Sequence, residues 1–352
     1  MAQRIGFVGA TGLMGHGMAK NLIKKGFPTT LLVRPNRPSN ARLADLFAAG
    51  ASQAATARDV ARASDVVILC VTGAPEVDSV VYGDDGVMAA ARPGLMVVDA
   101  STSEVDASGR TRAALAARGV TFVDAPLTRT PAAAEEGKCN TMVGADKATF
   151  DALHPVLRAY CEHIIHAGPA GHGLVLKLIN NFVGQAITTA TAEGLATAAK
   201  VGLDIRPLYQ LMSLGSVNNL MFQFMVGKML EGGPEQLEGL KFSLSNAEKD
   251  VRCPPPPPPP AHVAPPLVTT ARRPLTRAPL LSAPPQLRAY THLTESLMLP
   301  STVGEAVHQS LVQANAFGLG DKYIASLITA QEKLAGVTIS APYAAGGGGR
   351  LK

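Results

Sequence analysis

Apolar positions along this chain recur with two different periods, and the alternation between them predicts the architecture. Short apolar runs with strand character fall at residues 4–8, 29–33, 65–71, 95–99 and 120–124. Between them, residues 18–25, 40–49, 55–63, 75–81 and 104–117 have helical character. Apolar strands separated by helices predict an α/β unit built on a parallel, doubly wound sheet. Further along the pattern changes. Residues 174–201 contain no proline, and Ile179, Phe182, Val183, Ala186, Ile187 and Ala190 recur at three-to-four spacing, predicting one long buried helix. Further helices are expected at 208–214, 220–230, 303–316 and 323–334, so the second half reads as all-α.

The first strand runs into Gly9-Ala10-Thr11-Gly12-Leu13-Met14-Gly15 and then a helix. Glycines allow a tight turn and the close approach of a pyrophosphate, whose charge is held by free amides at the helix N-terminus. The expected cofactor-binding positions are thus Gly9, Gly12, Leu13, Met14 and Gly15. A plain strand-to-helix corner is the competing reading, and the Gly-x-x-Gly-x-x-Gly spacing has one residue more than the usual Gly-x-Gly-x-x-Gly. The end of the second strand reads Val33-Arg34-Pro35-Asn36-Arg37 with no acid to take a ribose 2′-hydroxyl. An arginine there suits a 2′-phosphate. NADP(H) is therefore favoured over NAD(H), with Arg34 as the phosphate partner, unless both arginines are simply solvated. These signals assign residues 1–170 to a Rossmann-type nucleotide-binding domain and 171–336 to an all-α substrate and dimerisation domain, followed by a flexible tail at 337–352.

Within the long helix, Lys177 and Asn181 stand four residues apart, so both polar heads leave one face of an otherwise apolar rod. A desolvated ammonium is costly, so this lysine must reach solvent, find a partner or serve a reaction. Lowered in pKa by desolvation in a cleft, it would exchange protons in a useful range.

Five ordered segments carry a resemblance. They are Gly12-Leu13-Met14-Gly15-His16-Gly17-Met18-Ala19-Lys20-Asn21-Leu22, Asp99-Ala100-Ser101-Thr102, Asp124-Ala125-Pro126, Gly171-x-Gly173-x-x-x-Lys177-x-x-Asn180-Asn181 and Lys249-Asp250-Val251-Arg252. Together they resemble the β-hydroxyacid dehydrogenase family, which includes 3-hydroxyisobutyrate dehydrogenase and the glyoxylate/succinic semialdehyde reductases and is related to 6-phosphogluconate dehydrogenase. The resemblance implies an NAD(P)-dependent oxidoreductase that moves hydride between nicotinamide and a small hydroxy acid or semialdehyde. It implies Lys177 as general acid and base, and Asn181 as the group that orients the substrate oxygen or the lysine. Thr102 is implied beside the nicotinamide ribose, Lys249 as a second lysine closing over the cofactor, and Phe242 and Asp250 as residues shaping the substrate pocket. A homodimer or homotetramer is implied as well.

One departure bears on substrate. The family usually reads Asp-Ala-Pro-Val-Ser-Gly-Gly where this chain has Asp124-Ala125-Pro126-Leu127-Thr128-Arg129-Thr130. Thr128 can still supply a hydroxyl to a substrate carboxylate, and Arg129 is expected to take that carboxylate through a bidentate pair. The reading is a small carboxylate substrate in a reshaped pocket.

After Arg252 the character of the sequence breaks. Residues 253–289 hold thirteen of the chain's 26 prolines, seven of them consecutive at 254–260, together with four arginines and no acid. Such a segment cannot build a packed core, and disorder is expected. It interrupts what reads as one helix, from near Leu244 to Leu297, either as non-coding sequence read through or as a real inserted loop. It also accounts for the basic balance, since the net charge of +5 less those four arginines leaves +1. Nucleic acid is not an expected partner. An apolar content of 47% over 352 residues suffices for two cores. No apolar run approaches a membrane span and the first strand starts close to Met1, so a cytoplasmic location without membrane association is expected. The four cysteines and eight histidines show no metal-ligand spacing, so no metal is expected. His16 reads as near the cofactor or as an exposed helix residue, and Glu135-Glu136 as a solvated face. The alternative function is a catalytically impaired cofactor-binding module, or one whose proline run engages SH3 or WW domains. Imine reductases resembling this family commonly lack the lysine, so Lys177 argues against that class.

Overall fold

The computed structural model describes residues 3–233, 237, 243–251, 289–299 and 301–339. The first half forms nine strands: β1 Ile5–Val8, β2 Thr29–Leu32, β3 Ser52–Ala54, β4 Val66–Leu69, β5 Met96–Asp99, β6 Thr121–Asp124, β7 Leu127–Thr128, β8 Cys139–Gly144 and β9 Cys161–Gly168. Seven helices alternate with them: α1 Leu13–Lys24, α2 Ala44–Ala48, α3 Ala57–Ala63, α4 Ala74–Tyr82, α5 Val105–Ala116, α6 Pro131–Glu135 and α7 Lys147–Leu157. The sheet order is β3-β2-β1-β4-β5-β6-β8-β7, with β9 paired to β8. From β3 to β6 every pairing is parallel, as the alternation of strands and helices predicts. Beyond β6 the chain departs from that expectation, because β8 runs antiparallel to β6 and β7 while β9 returns parallel to β8.

Side-chain alternation along the strands divides the core into two layers. Ile5, Phe7, Val66, Ile68 and Val98 point to the face covered by α1, where Met18 and Leu22 are fully enclosed. Val8, Val67, Leu69 and Val97 point to the other, against Val60 of α3 and Val77, Val80 and Val81 of α4. The central strands are buried on both faces, so their sequences are apolar runs and not polar-apolar alternations.

The second half is helical: α8 His172–Lys200, α9 Ile205–Leu214, α10 Leu220–Gly232, α11 Leu244–Val251, α12 Ala289–Ser296, α13 Thr302–Ala316 and α14 Leu327–Ala335. Helix α8 is its axis, and Ala192, Leu195 and Ala196 share a core with Phe222, Met225, Val226, Leu311, Leu327 and Ile328. Packing continues past the expected domain end at residue 336. Ile339 is buried, and its amide donates to Glu332 Oε1 at 2.6 Å, so residues 337–339 belong to the helical unit and not to a tail. The expected insert begins beyond the last described residue of α11, and its final residue, Ala289, is already the first of α12.

Candidate functional site

The glycine turn has the shape that a bound pyrophosphate requires. Gly9 adopts φ +102°, and a Cβ there would lie 2.0 Å from the Cys70 carbonyl oxygen. A Cβ on Gly15 would lie 2.2 Å from the Gly9 carbonyl oxygen, so α1 approaches the turn as bare backbone. Gly12 is the N-cap of α1 and no side chain caps the helix, and first-turn amides such as those of Leu13 and Met14 have no partner within a helix. Beside the turn lies a cavity of about 260 Å³ lined by Val8, Gly9, Thr11, Leu32, Arg34, Arg37, Ser39, Asn40, Val71, Glu76 and Val80. Its wall divides chemically into apolar surfaces from Leu32, Val71 and Val80, and a cationic and hydroxylic end from Arg34, Arg37, Ser39 and Asn40. The turn and Arg34 are thus brought together as expected. Glu76 is a lining residue that the sequence did not single out, since one acid in the first turn of a helix carries no distinguishing signal.

A second set of residues organises the carboxyl edge of the sheet. Asp99, at the end of β5, accepts from the Ser101 amide at 2.9 Å and from Ser103 Oγ at 3.4 Å, while Ser101 Oγ accepts from the Val71 amide at 3.0 Å. Burial raises the Asp99 pKa to about 6, partly opposed by these serine hydrogen bonds. Thr102 stands half-buried in the turn so formed.

Asp124, at the end of β6, performs a task that the sequence motif does not announce. Its carboxylate accepts from the Gly171 amide at 2.6 Å and the Leu174 amide at 3.0 Å, satisfying two donors at the N-terminus of α8. Burial raises its pKa, against the pull of those amides. Contact here is close enough to dictate glycine. Gly171 has φ +94°, and a Cβ on Gly173 would meet the Met142 carbonyl oxygen at 2.4 Å, Asp124 Oδ2 at 2.8 Å and the Gly144 nitrogen at 2.9 Å. The aspartate of β6 and the Gly-x-Gly before the lysine are therefore two halves of one joint.

From this joint α8 carries Lys177 and Asn181, both half-buried, on one face. Asn180 Nδ2 donates to Asn181 Oδ1 at 3.2 Å, which turns the Asn181 oxygen toward its neighbour. Leu178, next to the lysine, is buried against Val105 of α5, Tyr290 and Leu293 of α12. Val105 is three residues past Thr102, so the Thr102 turn and the lysine-bearing helix meet through this contact. The ring of Tyr290 stacks on Phe182 with centroids 4.2 Å apart and planes 6° from parallel.

Thr128 lies in β7 opposite Asn140 of β8, half-buried. Arg129, the expected carboxylate partner, pairs with the protein's own groups: its Nη1 donates to Glu162 Oε2 and to the Lys138 carbonyl at 3.0 Å. Its backbone has φ +79°, a region that favours glycine and is strained for other residues. Both of the Arg129 side-chain bonds use Nη1 alone. Lys249 and Asp250 belong to α11, and Phe242 lies outside the described residues. His16 and Glu135 depart from their solvated readings, because His16 Nδ1 lies 2.6 Å from Glu135 Oε1 and Nε2 lies 3.1 Å from Asp45 Oδ1.

Among the described residues no group of three His, Cys, Asp or Glu side chains is placed to hold a metal, and no helix is long and apolar enough to cross a membrane. The free thiols of Cys139 and Cys161 are buried, and burial raises both pKa values, Cys139 to about 11, so neither is a ready nucleophile.

Residues 4–168 match the model of the NAD binding domain of 6-phosphogluconate dehydrogenase. The chain is 34% identical to an NAD-dependent L-serine dehydrogenase of Pseudomonas aeruginosa, over 62% of this chain and 71% of that protein. It is 32% identical to a 3-hydroxyisobutyrate dehydrogenase of the same organism, over 61% of this chain and 70% of the relative. A solved structure of Mycobacterium tuberculosis 3-hydroxyisobutyrate dehydrogenase with L-serine shares the fold, with a TM-score of 0.73 at 23% identity, covering 94% of this chain and 99% of that one. The chain belongs to the β-hydroxyacid dehydrogenase family, as a dehydrogenase of the CH–OH group built on an NAD(P)-binding Rossmann domain and a helical domain.

Proposed function

We propose that this protein is an NADP(H)-dependent dehydrogenase or reductase of a small hydroxy acid or semialdehyde, with Lys177 as its general acid and base. The observation that carries the reading is the joint at Asp124, which fixes α8 to the carboxyl edge of the sheet about one turn before Lys177 and about two before Asn181. Nicotinamide, when bound, supplies or takes the hydride. In reduction the Lys177 ammonium gives a proton to the carbonyl oxygen, and in oxidation the neutral amine takes the hydroxyl proton. Asn181 orients that oxygen through its side-chain amide, and the Thr128 hydroxyl donates to the substrate carboxylate. Bare backbone at Gly9, Gly12 and Gly15, with the amides of Leu13 and Met14, receives the pyrophosphate, and Thr102 adjoins the nicotinamide ribose. Lys249 closes over the cofactor, while Phe242 and Asp250 shape the pocket; these three roles rest on the family resemblance.

Arg34 and Arg37 at one end of the cavity support NADP(H), since two guanidinium groups suit a phosphate better than a hydroxyl. Semialdehydes related to 3-hydroxyisobutyrate or L-serine are the substrates that the relatives' names suggest. The helical domain forms a homodimer or homotetramer, as the family resemblance implies, and the exposed leucines of α9 and α10 are consistent with a covered face.

Fluorescence titration with NADPH and NADH, followed by turnover assays with glyoxylate, succinic semialdehyde, 3-hydroxyisobutyrate and L-serine, tests the proposal. Lys177→Ala should lower kcat by roughly a hundredfold or more while leaving NADPH affinity near the wild-type value. Wild-type turnover by that variant would overturn the role of the lysine, and tighter binding of NADH would overturn the cofactor preference.

A further inference from the structure

We propose that His16 is a positioning residue for the cofactor: as an imidazolium it ties the wall of the adenosine end of the cavity to the glycine-turn helix, so that cofactor affinity falls as pH rises. The inference rests on reading that cavity as the adenosine end of an NADP(H) site.

Geometry fixes the protonation state. Both ring nitrogens of His16 lie at hydrogen-bond distance from carboxylates, Nδ1 from Glu135 of α6 at 2.6 Å and Nε2 from Asp45 of α2 at 3.1 Å. Ionised carboxylates only accept, and a neutral imidazole has one N–H to donate. Both contacts are hydrogen bonds only when both nitrogens carry protons. Burial by itself would lower the pKa of this ring, but the hydrogen bonds and charges of Glu135 and Asp45 together outweigh it and the pKa is raised. Lys20 on the same helix adds a further charge, its Nζ donating to Glu135 Oε2 at 3.0 Å.

The two arms of the tie differ. The Glu135 arm is short and Glu135 keeps Lys20 as a second partner. The Asp45 arm is longer, and the Asp45 side chain is 55% exposed against 14% for His16. When the ring loses a proton, the Asp45 arm is the one released. Asp45 is the second residue of α2, just after the turn Pro38–Leu43 and the cavity-lining residues Arg34, Arg37, Ser39 and Asn40. A further side-chain hydrogen bond ties this stretch to the glycine turn, from Arg42 Nη1 to the Thr11 carbonyl at 3.0 Å, and Asn40 Nδ2 braces it internally on the Arg34 carbonyl at 2.8 Å. Leu43 and Leu46 stay packed in the core with Met18 and Leu22 of α1, so releasing Asp45 leaves the fold intact and removes one of the two side-chain hydrogen bonds that tie the exposed side of the phosphate-facing wall to the glycine turn and its helix. The tie is complete below the ordinary histidine pKa of about 6.5 and is lost as pH rises through the raised value.

The experiment is NADPH binding, followed by quenching or enhancement of nucleotide fluorescence, between about pH 7 and pH 9, where the 2′-phosphate is already ionised. The wild-type Kd should rise by about fivefold across this range, the equivalent of one partly exposed charge-assisted hydrogen bond. In His16→Gln, and independently in the exposed-site variant Asp45→Asn, the Kd should be nearly flat and close to the alkaline wild-type value. The His16 ring proton titration, followed by NMR, should move to lower pH in Asp45→Asn. A flat wild-type Kd, or a slope that survives in both variants, overturns the role of His16 while leaving the cofactor site standing. Absence of NADPH binding at every pH, with the histidine titrating as expected, overturns the reading of the cavity itself.

Discussion

Asp99 and Asp124 are register partners on adjacent parallel strands, so two carboxyl groups share the carboxyl edge of the sheet. Their functions differ. Asp124 spends its oxygens on the amides that start α8, whereas Asp99 folds the 99–103 turn over itself. An acid whose pKa rises to about 6 in the fold binds its proton more tightly there than in the unfolded chain. Stability is then highest below the unfolded value of about 3.9, falls as pH rises through the interval up to about 6, and stays lower above it. Asp99→Asn keeps an oxygen for the Ser101 amide and removes the buried charge. Urea denaturation should find the variant more stable than wild type at neutral pH by up to about 3 kcal/mol, with that advantage gone near pH 4. An unchanged pH profile would show that Asp99 is not the titrating group. At this scale the sequence disclosed which residue types matter but not their partners. Glycines 9, 12 and 15 were readable because a turn's chemistry is local. The His16 contacts were not, since Asp45 is 29 residues away and Glu135 is 119. The Glu162 partner of Arg129 was not legible either, since it lies 33 residues further along the chain.

Among the elements, α11 and α12 carry the clearest prediction. Leu244 and Ala247 of α11 and Thr291 and Thr294 of α12 are buried. Subtracting the 37 residues of segment 253–289 puts the latter pair at positions equivalent to 254 and 257. The four then lie on one helical face, spaced by three, seven and three. Gln185 of α8 donates to the Ala247 carbonyl, and Phe182 of the same helix stacks on Tyr290, so both pieces pack along α8. Deleting residues 253–289 should join them into one helix without changing the buried face. The expected outcome is a higher melting temperature and a rise in kcat/KM. Equal melting and kinetics would mean that the segment imposes no cost. The parallel strands were legible from their apolar runs, and the long helix from its proline-free periodicity, but the face expected to be buried was not the one the fold buries: Ile179 and Val183 are 43% and 47% exposed, while Leu178, Gln185, Thr188 and Ala192 are buried. The antiparallel turn of the sheet was not legible, because β7 has two residues and β8 has register irregularities at both ends.

For the molecule as a whole, one of the exposed apolar groups among the described residues lies where α9 meets α10, with others at 297–303 and along α8. Leu211, Leu214, Val217 and Leu220 are 70%, 83%, 53% and 90% exposed. On a lone chain such a group is a poor solution to hydration, and the proposed homo-oligomer would cover it. The double substitution Leu214→Glu and Leu220→Glu should shift the particle measured by light scattering to the monomer mass, while leaving the nucleotide domain able to bind NADPH. An unaltered mass would move the interface elsewhere. The helical half also acts on the chemistry mechanically. Pinned at Leu174, α8 is a lever whose fulcrum lies about 4.5 Å along the axis from Lys177 and about 39 Å from Lys200. A tilt of the distal bundle that swings Lys200 sideways therefore moves the base of the lysine by roughly a ninth as much. Large breathing of the far end and near-stillness at the base of Lys177 are compatible in one rigid rod.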